Sequence, residues 1–410
     1  MQRIVRILRN FGKKGDLLLL FLCLLATGFG CVVISSATHY LGSSRFLTVQ
    51  LAATALGVLF YVLLTSMDLE GLAELLFLFN ALLLLLLIPF GTDGGTGNRS
   101  WLDIPGFPVN IQPAEICKIT FTILLAKVMQ VHQSRISSFR SVLAMAFQLV
   151  FLVGLNMVLS RDAGVSLIFV FIFLVMAFVG GVKLWWFLGG IGALCLAAPY
   201  AWTHLLQDYQ KNRILVIFDP TIDPQGLDER WHFAQSLRSL TGAGLSGRGL
   251  FQGSRTQVGA LNAQHTDFIF SAIGEELGLL GCAFTLLLLG AVVFRVIYVG
   301  LKTPDYLSRL VCLGTGAALI FQVCVNVGMC LGVAPDPPLH QLRRQLHRLH
   351  VFGHGCGLQR PRPPQAGSQK PLRPASLTVR CLSSRRGKAV LTDQVGTYII
   401  KVKSFISKMR

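Results

Sequence analysis

The chain has 410 residues, of which 53% are hydrophobic and only 14% charged, with a mean hydropathy of +0.60. Soluble domains carry about 25% charged residues, so a water-facing exterior all round is excluded, and the apolar content excludes disorder over most of the length. The net charge of +18 is unevenly placed: residues 336–410 carry +13, together with seven of the 16 prolines, whereas residues 1–335 carry +5. A membrane body and a basic, proline-rich tail are therefore expected. Eight of the ten cysteines, Cys23, Cys31, Cys117, Cys195, Cys282, Cys312, Cys324 and Cys330, sit in apolar runs without metal-ligand spacing and read as small buried hydrophobes.

A bilayer core about 30 Å thick is crossed by ~20 apolar residues in helix, because every backbone polar group must be satisfied internally. Nine runs qualify: 17–36, 46–65, 70–90, 111–131, 140–159, 164–182, 184–203, 268–298 and 307–333. The first is long and lacks a clean small-residue cleavage site, so it reads as a span and not as a signal peptide. The predicted fold is an all-α polytopic membrane protein with nine recognisable spans. Arg3, Arg6, Arg9, Lys13 and Lys14 precede the first of them, which puts the N-terminus in the cytoplasm. Counting onward, Arg135, Arg140, Lys183, Arg295, Lys302 and Arg309 also fall inside. The loops 91–110 and 204–266 fall outside. The second of these is a large extracytoplasmic loop, amphipathic in places, expected to lie along the outer membrane surface with short helices.

Ionisable groups at or inside spans are costly and mark candidate functional positions. Gln112-Pro113-Ala114-Glu115-Ile116-Cys117-Lys118 opens the fourth span with proline where its missing N–H is not needed. Glu115 and Lys118 are three apart and share a helix face, as a structural ion pair or as part of a polar cavity. Arg161-Asp162, between the fifth and sixth spans, is a solvated loop pair or a second part of that cavity. In Arg99-Ser100-Trp101-Leu102-Asp103 the tryptophan reads as an interfacial anchor. Gln264-His265-Thr266-Asp267 runs directly into Phe268-Ile269-Phe270, so Asp267 is the last charge before a span on the outer side. Beside apolar walls such a carboxylate suits a general base, and before an apolar run it equally suits a helix N-cap. Glu275 and Glu276 follow about two turns into the same helix, with no partner evident from sequence.

The strings QPAEICK, SRDAGVSL, NRILVIFDPTIDPQG, QSLRSLTGAGLSGRGL, QHTDFIFSAIGEELGLLG and FQVCVNVGMCLG follow one another in this order. From about residue 15 to residue 335 the chain resembles the SEDS family, which includes RodA, FtsW and SpoVE. Thr266 before Asp267 resembles the RodA branch. The resemblance implies ten spans and polymerisation of lipid II into glycan strands at the outer face of the bacterial cytoplasmic membrane, for elongation and shape. It also implies a class B penicillin-binding protein as partner. By the same resemblance Asp267 is the catalytic carboxylate, taking the proton from the attacking sugar hydroxyl as undecaprenyl pyrophosphate leaves. Glu115 and Lys118 match the family's polar pair. Asp162 matches the aspartate of its QPDLGT motif, although Ser160-Arg161 stands where Gln-Pro is usual. Arg213, Arg248 or Arg255, or a divalent cation such as Mg or Mn shared with the substrate, would meet the pyrophosphate charge, and His265 lies beside the catalytic carboxylate. A lipid II flippase, and a scaffold that activates the penicillin-binding protein, are the rival functions. Nucleic acid is not an expected partner.

After Val333-Ala334-Pro335 the resemblance stops. Where the family continues with Pro-Phe-(Ile/Phe)-Ser-Tyr-Gly-Gly-Ser-Ser and a tenth span, this chain reads PLHQLRRQLHRLHVFGHGCGL, whose Arg and His residues do not suit a bilayer centre. Permitted codons for Pro338 through His347, read one nucleotide later, give Pro-Phe-Ile-Ser-Tyr-Gly-Gly-Ser-Ser-Ile, and continuing gives an apolar run. The tail is therefore expected to be out of frame and disordered, so His340, His347, His350 and His354 are not read as a metal site. The alternative is a genuine basic tail attracted to anionic lipid or nucleic acid. Sequencing the gene across the codons for residues 330–360 is expected to reveal a shifted frame; an intact frame with selection acting on the tail would contradict it.

Overall fold

The computed structural model describes residues 16–64, 73–92, 99–103, 111–205, 211, 215, 231–261 and 263–332. In chain order the described helices are α1 (Leu17–Ala37), α2 (Arg45–Leu64), α3 (Ala73–Leu85, followed by a helical turn Leu87–Phe90) and α4 (Pro113–Val131). They continue with α5 (Phe139–Leu159), α6 (Ala163–Val179), α7 (Leu184–Tyr200), α8 (Trp231–Thr241), α9 (Ile269–Lys302) and α10 (Tyr306–Leu331). All but α8 coincide with the nine apolar runs. Among the described residues five helices are long and apolar enough to cross a membrane, by length and composition alone: Leu17–Ala37, Phe139–Leu159, Leu184–His204, Ile269–Lys302 and Tyr306–Leu331. Helix α4 carries Glu115, Lys118 and Lys127, and therefore falls outside that group.

Helix α10 is the centre of the bundle, packing against α9, α6 and α4. Phe121, Phe169, Ile172, Met176, Leu310 and Val311 form the middle of the apolar core. Helix α7 contributes no buried residue and touches the core through Trp186 and Phe187 near its start.

The two ends of the bundle differ in chemistry. At one end Asp16, 4% exposed, caps α1 by accepting from the Leu19 amide and receives both Arg295 Nε at 2.9 Å and Nη2 at 3.1 Å. Losing one partner of a buried pair of this kind costs about 3–5 kcal/mol. The turns after α4, α6 and α9 meet at this end: Trp186 Nε1 donates to Ser137 O, and Tyr306 Oη donates to Gly180 O. Arg135, Lys183 and Lys302 lie in or beside these turns, the same residues that charge counting groups on one side.

The other end carries the irregular chain. Two-residue strands β1 (Gly91–Thr92) and β2 (Trp101–Leu102) pair antiparallel, and Leu102 bridges to Ile111. Trp101 is 7% exposed, which corrects its reading as an interfacial anchor: the short sheet folds the indole into protein. Residues 242–261 are seated in the bundle. They pack against α1 and α9 where α9 is interrupted at Gly278, with φ +65° and ψ −162°. The carbonyls of Glu275 and Glu276 accept from the amides of Arg248 and Gly249, and the amides of Leu279 and Leu280 donate to the carbonyls of Gly244 and Leu245. Irregular backbone inside a bundle is tolerated only when its polar groups are satisfied in this way. The tail beyond residue 335, like the segments 1–15 and 216–230, lies outside the described residues.

A Cβ at Gly278 would lie inside contact distance of Gly247 N and Leu245 O, in a backbone region that L-residues rarely adopt. Gly278→Ala is expected to destabilise the protein by roughly 2–5 kcal/mol. Gly290→Ala, where a Cβ meets nothing within 4 Å, is expected to change stability by less than about 1 kcal/mol. Thermal unfolding in detergent checks both, and equal stability of the two variants would contradict the docked-loop geometry.

Candidate active site at the loop-bearing end

Asp267 lies in the turn that enters α9 and is half-buried. The N-cap position of that helix is Phe268, with no side-chain cap, so the cap reading of Asp267 does not hold. The turn is instead built around Ala263, at φ +52°, whose carbonyl accepts from the amides of Thr266 and Phe268 and from Thr266 Oγ1. Phe268, 1% exposed, anchors the turn in a second apolar cluster with Val33, Leu261, Phe270, Ile273 and Cys330. On the opposite side, the carbonyl of Asp267 accepts from Asn326 Nδ2 at 3.2 Å and from Cys330 Sγ at 3.6 Å, both on α10. The backbone of Asp267 is thus held between two helices.

The segment leading to Asp267 is tied down side chain by side chain. Gln264 is fully buried and donates from Nε2 to Ala37 O and to Thr256 O, each at 2.7 Å. The His265 ring packs 4.5 Å from that of Phe46, centroid to centroid, and its buried Nδ1 has no protein partner. Burial lowers the His265 pKa from its ordinary 6.5, since the charged form would lose water. Glu275 and Glu276, whose partners are not readable from sequence, are both buried and face the loop. Glu275 accepts from the backbone of Arg255 and Thr256, and Glu276 from Ser36 Oγ at 2.5 Å and Gln257 Nε2 at 2.8 Å. GLSGRGL and GEELG are two glycine-bearing segments whose backbones approach closely.

A second polar group lies at the same end of the bundle, at the starts of α4 and α6. Lys118, with no exposed surface, donates to Glu115 Oε1 at 2.8 Å, as the three-residue spacing predicts. Asp162 is the N-cap of α6 and accepts from the Val165 amide at 3.1 Å. Burial raises its pKa above the usual 3.8; the Val165 amide and Lys118 act to lower it, and Glu115 to raise it. Glu115 and Lys118 are near enough to Asp162 to act on its charge, and its half-buried cap position corrects the solvated-pair reading of Arg161-Asp162. Arg161 is exposed at φ +56°, and the turn is fixed by Asn156, fully buried, which donates to Asp162 O and Ser166 Oγ.

Of the candidate cations, Arg248 is exposed and hydrogen-bonds Ser254 Oγ, which in turn donates to Glu275. Arg255 is half-buried with an unpartnered Nε. Arg213 lies outside the described residues. Among the described residues no three His, Cys, Asp or Glu side chains are grouped to hold a metal.

The profile of the FtsW, RodA and SpoVE proteins, described as a cell cycle protein, matches residues 16–338. The chain belongs to this family. It is 31% identical over 268 residues to peptidoglycan glycosyltransferase MrdB of Escherichia coli K12, covering 65% of this chain and 70% of the relative. It is 32% identical over 337 residues to stage V sporulation protein E of Bacillus subtilis, covering 78% and 88%. Among solved structures it is similar to a chain from work titled "Structural coordination of polymerization and crosslinking by a peptidoglycan synthase complex", with TM-score 0.66, 30% identity and coverage of 79% and 89%. It is also similar to the Thermus thermophilus rod shape determining protein RodA, with TM-score 0.55, 26% identity and coverage of 79% and 88%. The all-α polytopic membrane fold is common to this family.

The lowered pKa of His265 has a consequence for stability. Its neutral form contributes stability that is complete above the unfolded value of 6.5 and is lost as pH falls through the lower folded value. The midpoint of thermal unfolding is expected to fall between about pH 7 and about pH 5 more steeply for the wild type than for His265→Gln. Equal slopes would contradict burial of the neutral imidazole.

Proposed function

We infer that the chain is a peptidoglycan glycosyltransferase that polymerises lipid II at the outer face of the cytoplasmic membrane. Its family membership and the names of its relatives support the activity. The observation that carries the residue assignment is the fixed backbone of Asp267 at the mouth of α9, in a turn that leaves the carboxylate half-buried. A polyprenyl-linked substrate has an apolar tail and a hydrophilic head, so its reacting atoms sit at the boundary where this turn lies.

In this reading Asp267 accepts the proton of the acceptor sugar hydroxyl. The hydroxyl oxygen bonds to the anomeric carbon of the donor, and the bond from that carbon to the pyrophosphate oxygen breaks, with undecaprenyl pyrophosphate leaving as an anion. Arg248 and Arg255 supply positive charge near the docked loop, and Arg213 belongs to the same outer segment. Glu115 and Asp162 form a polar wall that orients the hydrophilic head, the buried Lys118 fixes Glu115 from behind, and His265 lies two residues before the base. A divalent cation such as magnesium or manganese, shared with the substrate, would offset the phosphate charge. The basic residues before α1 and around Arg135, Lys183 and Lys302 support a cytoplasmic N-terminus. A class B penicillin-binding protein is the proposed partner, in keeping with the polymerisation and crosslinking named for the similar complex.

Purified protein given lipid II in detergent, where no leaflets exist, is expected to form glycan polymer. Asp267→Asn is expected to lower the rate by about 100-fold or more. Polymer made at the wild-type rate by the variant would contradict the role of Asp267, and no polymer from the wild type would favour transport of lipid II or a scaffold role.

A further inference from the structure

Glu275 lies on α9, two helical turns beyond Asp267, and is 1% exposed. Its two carboxylate oxygens divide four donors evenly. Oε1 accepts from the Arg255 amide at 2.8 Å and from Ser254 Oγ at 3.3 Å. Oε2 accepts from Thr256 Oγ1 at 2.8 Å and from the Thr256 amide at 3.0 Å. No cation is within ion-pair distance of Glu275 among the described residues. The carboxylate is compensated by backbone and hydroxyl dipoles alone, all from three consecutive residues of one loop.

Those three residues lead back to Asp267. Thr256 is fully buried, and its carbonyl receives the Gln264 amide nitrogen at 2.7 Å. Gln264 stands three residues before Asp267, and Asp267 is followed directly by α9, which carries Glu275. Covalent chain and hydrogen bonds therefore close a ring: Glu275, Thr256, Gln264, Asp267 and back along α9. We propose that Glu275 is a positioning residue for Asp267, acting through Thr256 and Gln264; the inference rests on the catalytic reading of Asp267 given above. A buried anion without a counter-cation is weak as a source of stability. What it supplies is one geometry: an acceptor-only group cannot rotate to offer a donor, so the segment 254–256 has a single docked arrangement. Glu276 does not duplicate this tie, since its partners Ser36 and Gln257 connect the loop to α1.

Glu275→Gln keeps the shape but turns a nitrogen donor toward two of the four donors. The test is amide hydrogen exchange, polymerisation rate and its pH profile on the full chain, for wild type, Glu275→Gln and Asp267→Asn. In Glu275→Gln the amides of Arg255 and Thr256 are expected to exchange about tenfold faster or more. The amides of Leu279 and Leu280, whose acceptors are the carbonyls of Gly244 and Leu245, are expected to stay protected, showing that the helix break remains docked. The rate is expected to fall about tenfold or more, and the acidic limb of the pH profile to move, which a smaller folded fraction would not produce. Asp267→Asn is expected to keep both pairs of amides protected and to lose activity.

Wild-type exchange at Arg255 and Thr256 in Glu275→Gln overturns the proposal whatever the activity. So does a loss of rate with an unmoved pH profile. An active Asp267→Asn, or a wild type that makes no polymer, overturns the functional reading, and the exchange data alone then decide whether Glu275 holds the segment.

Discussion

At Gly278 the backbone of α9 leaves the helical region, and two carbonyls before it and two amides after it pair with residues 244–249. In a bundle surrounded by lipid an interrupted helix would leave those groups without partners, at several kcal/mol each. Here the interruption and the loop satisfy each other, so neither is stable in this form alone. Gly247 and Gly278 permit it by letting the two backbones approach where any side chain would intrude. Everything around Asp267 follows from that docking. The loop reaches Glu275 and Glu276 because it is already seated in the break, and Gln264 can bridge Ala37 to Thr256 because the loop passes between α1 and α9.

The two ends of the bundle solve different problems. The end holding Asp16, Arg295 and the basic turns has, among the described residues, short turns and a bidentate ion pair. Among the described residues, the other carries most of the irregular chain and most of the buried polar side chains, including Glu275, Glu276, Gln264, Lys118 and Asn156. Burying so many polar groups is poor economy for stability and suits a surface that must handle a hydrophilic head at the edge of a membrane. Helix α7, with no buried residue, stands at the margin of the bundle among the described residues.

Much of this was legible in the sequence because hydropathy is a strong signal over ~20 residues. The nine apolar runs fall on nine described helices, and the Glu115–Lys118 pair follows from three-residue spacing. Asp267 stood out as the last charge before a span. The break in α9 did not, since GEELGLLG carries helix-forming residues around a glycine that a helix would tolerate. Its cause lies in another segment, the GLSGRGL loop, and no local pattern joins the two. Trp101 read as an anchor because tryptophan beside charge usually is one, whereas a two-residue strand pairing buries it. The partners of Glu275 and Glu276 were hidden for a similar reason: backbone amides carry no sequence signature.

The account rests on a carboxylate fixed at the loop-bearing end meeting a sugar hydroxyl there. The most direct measurement is a structure of the Asp267→Asn variant with lipid II bound. The acceptor hydroxyl is expected within about 3.2 Å of the residue 267 side chain, with the pyrophosphate facing the docked loop. A sugar head bound at the opposite end, among Arg135, Lys183 and Lys302, or one whose hydroxyl lies beyond reach of residue 267 even through a water, would contradict it.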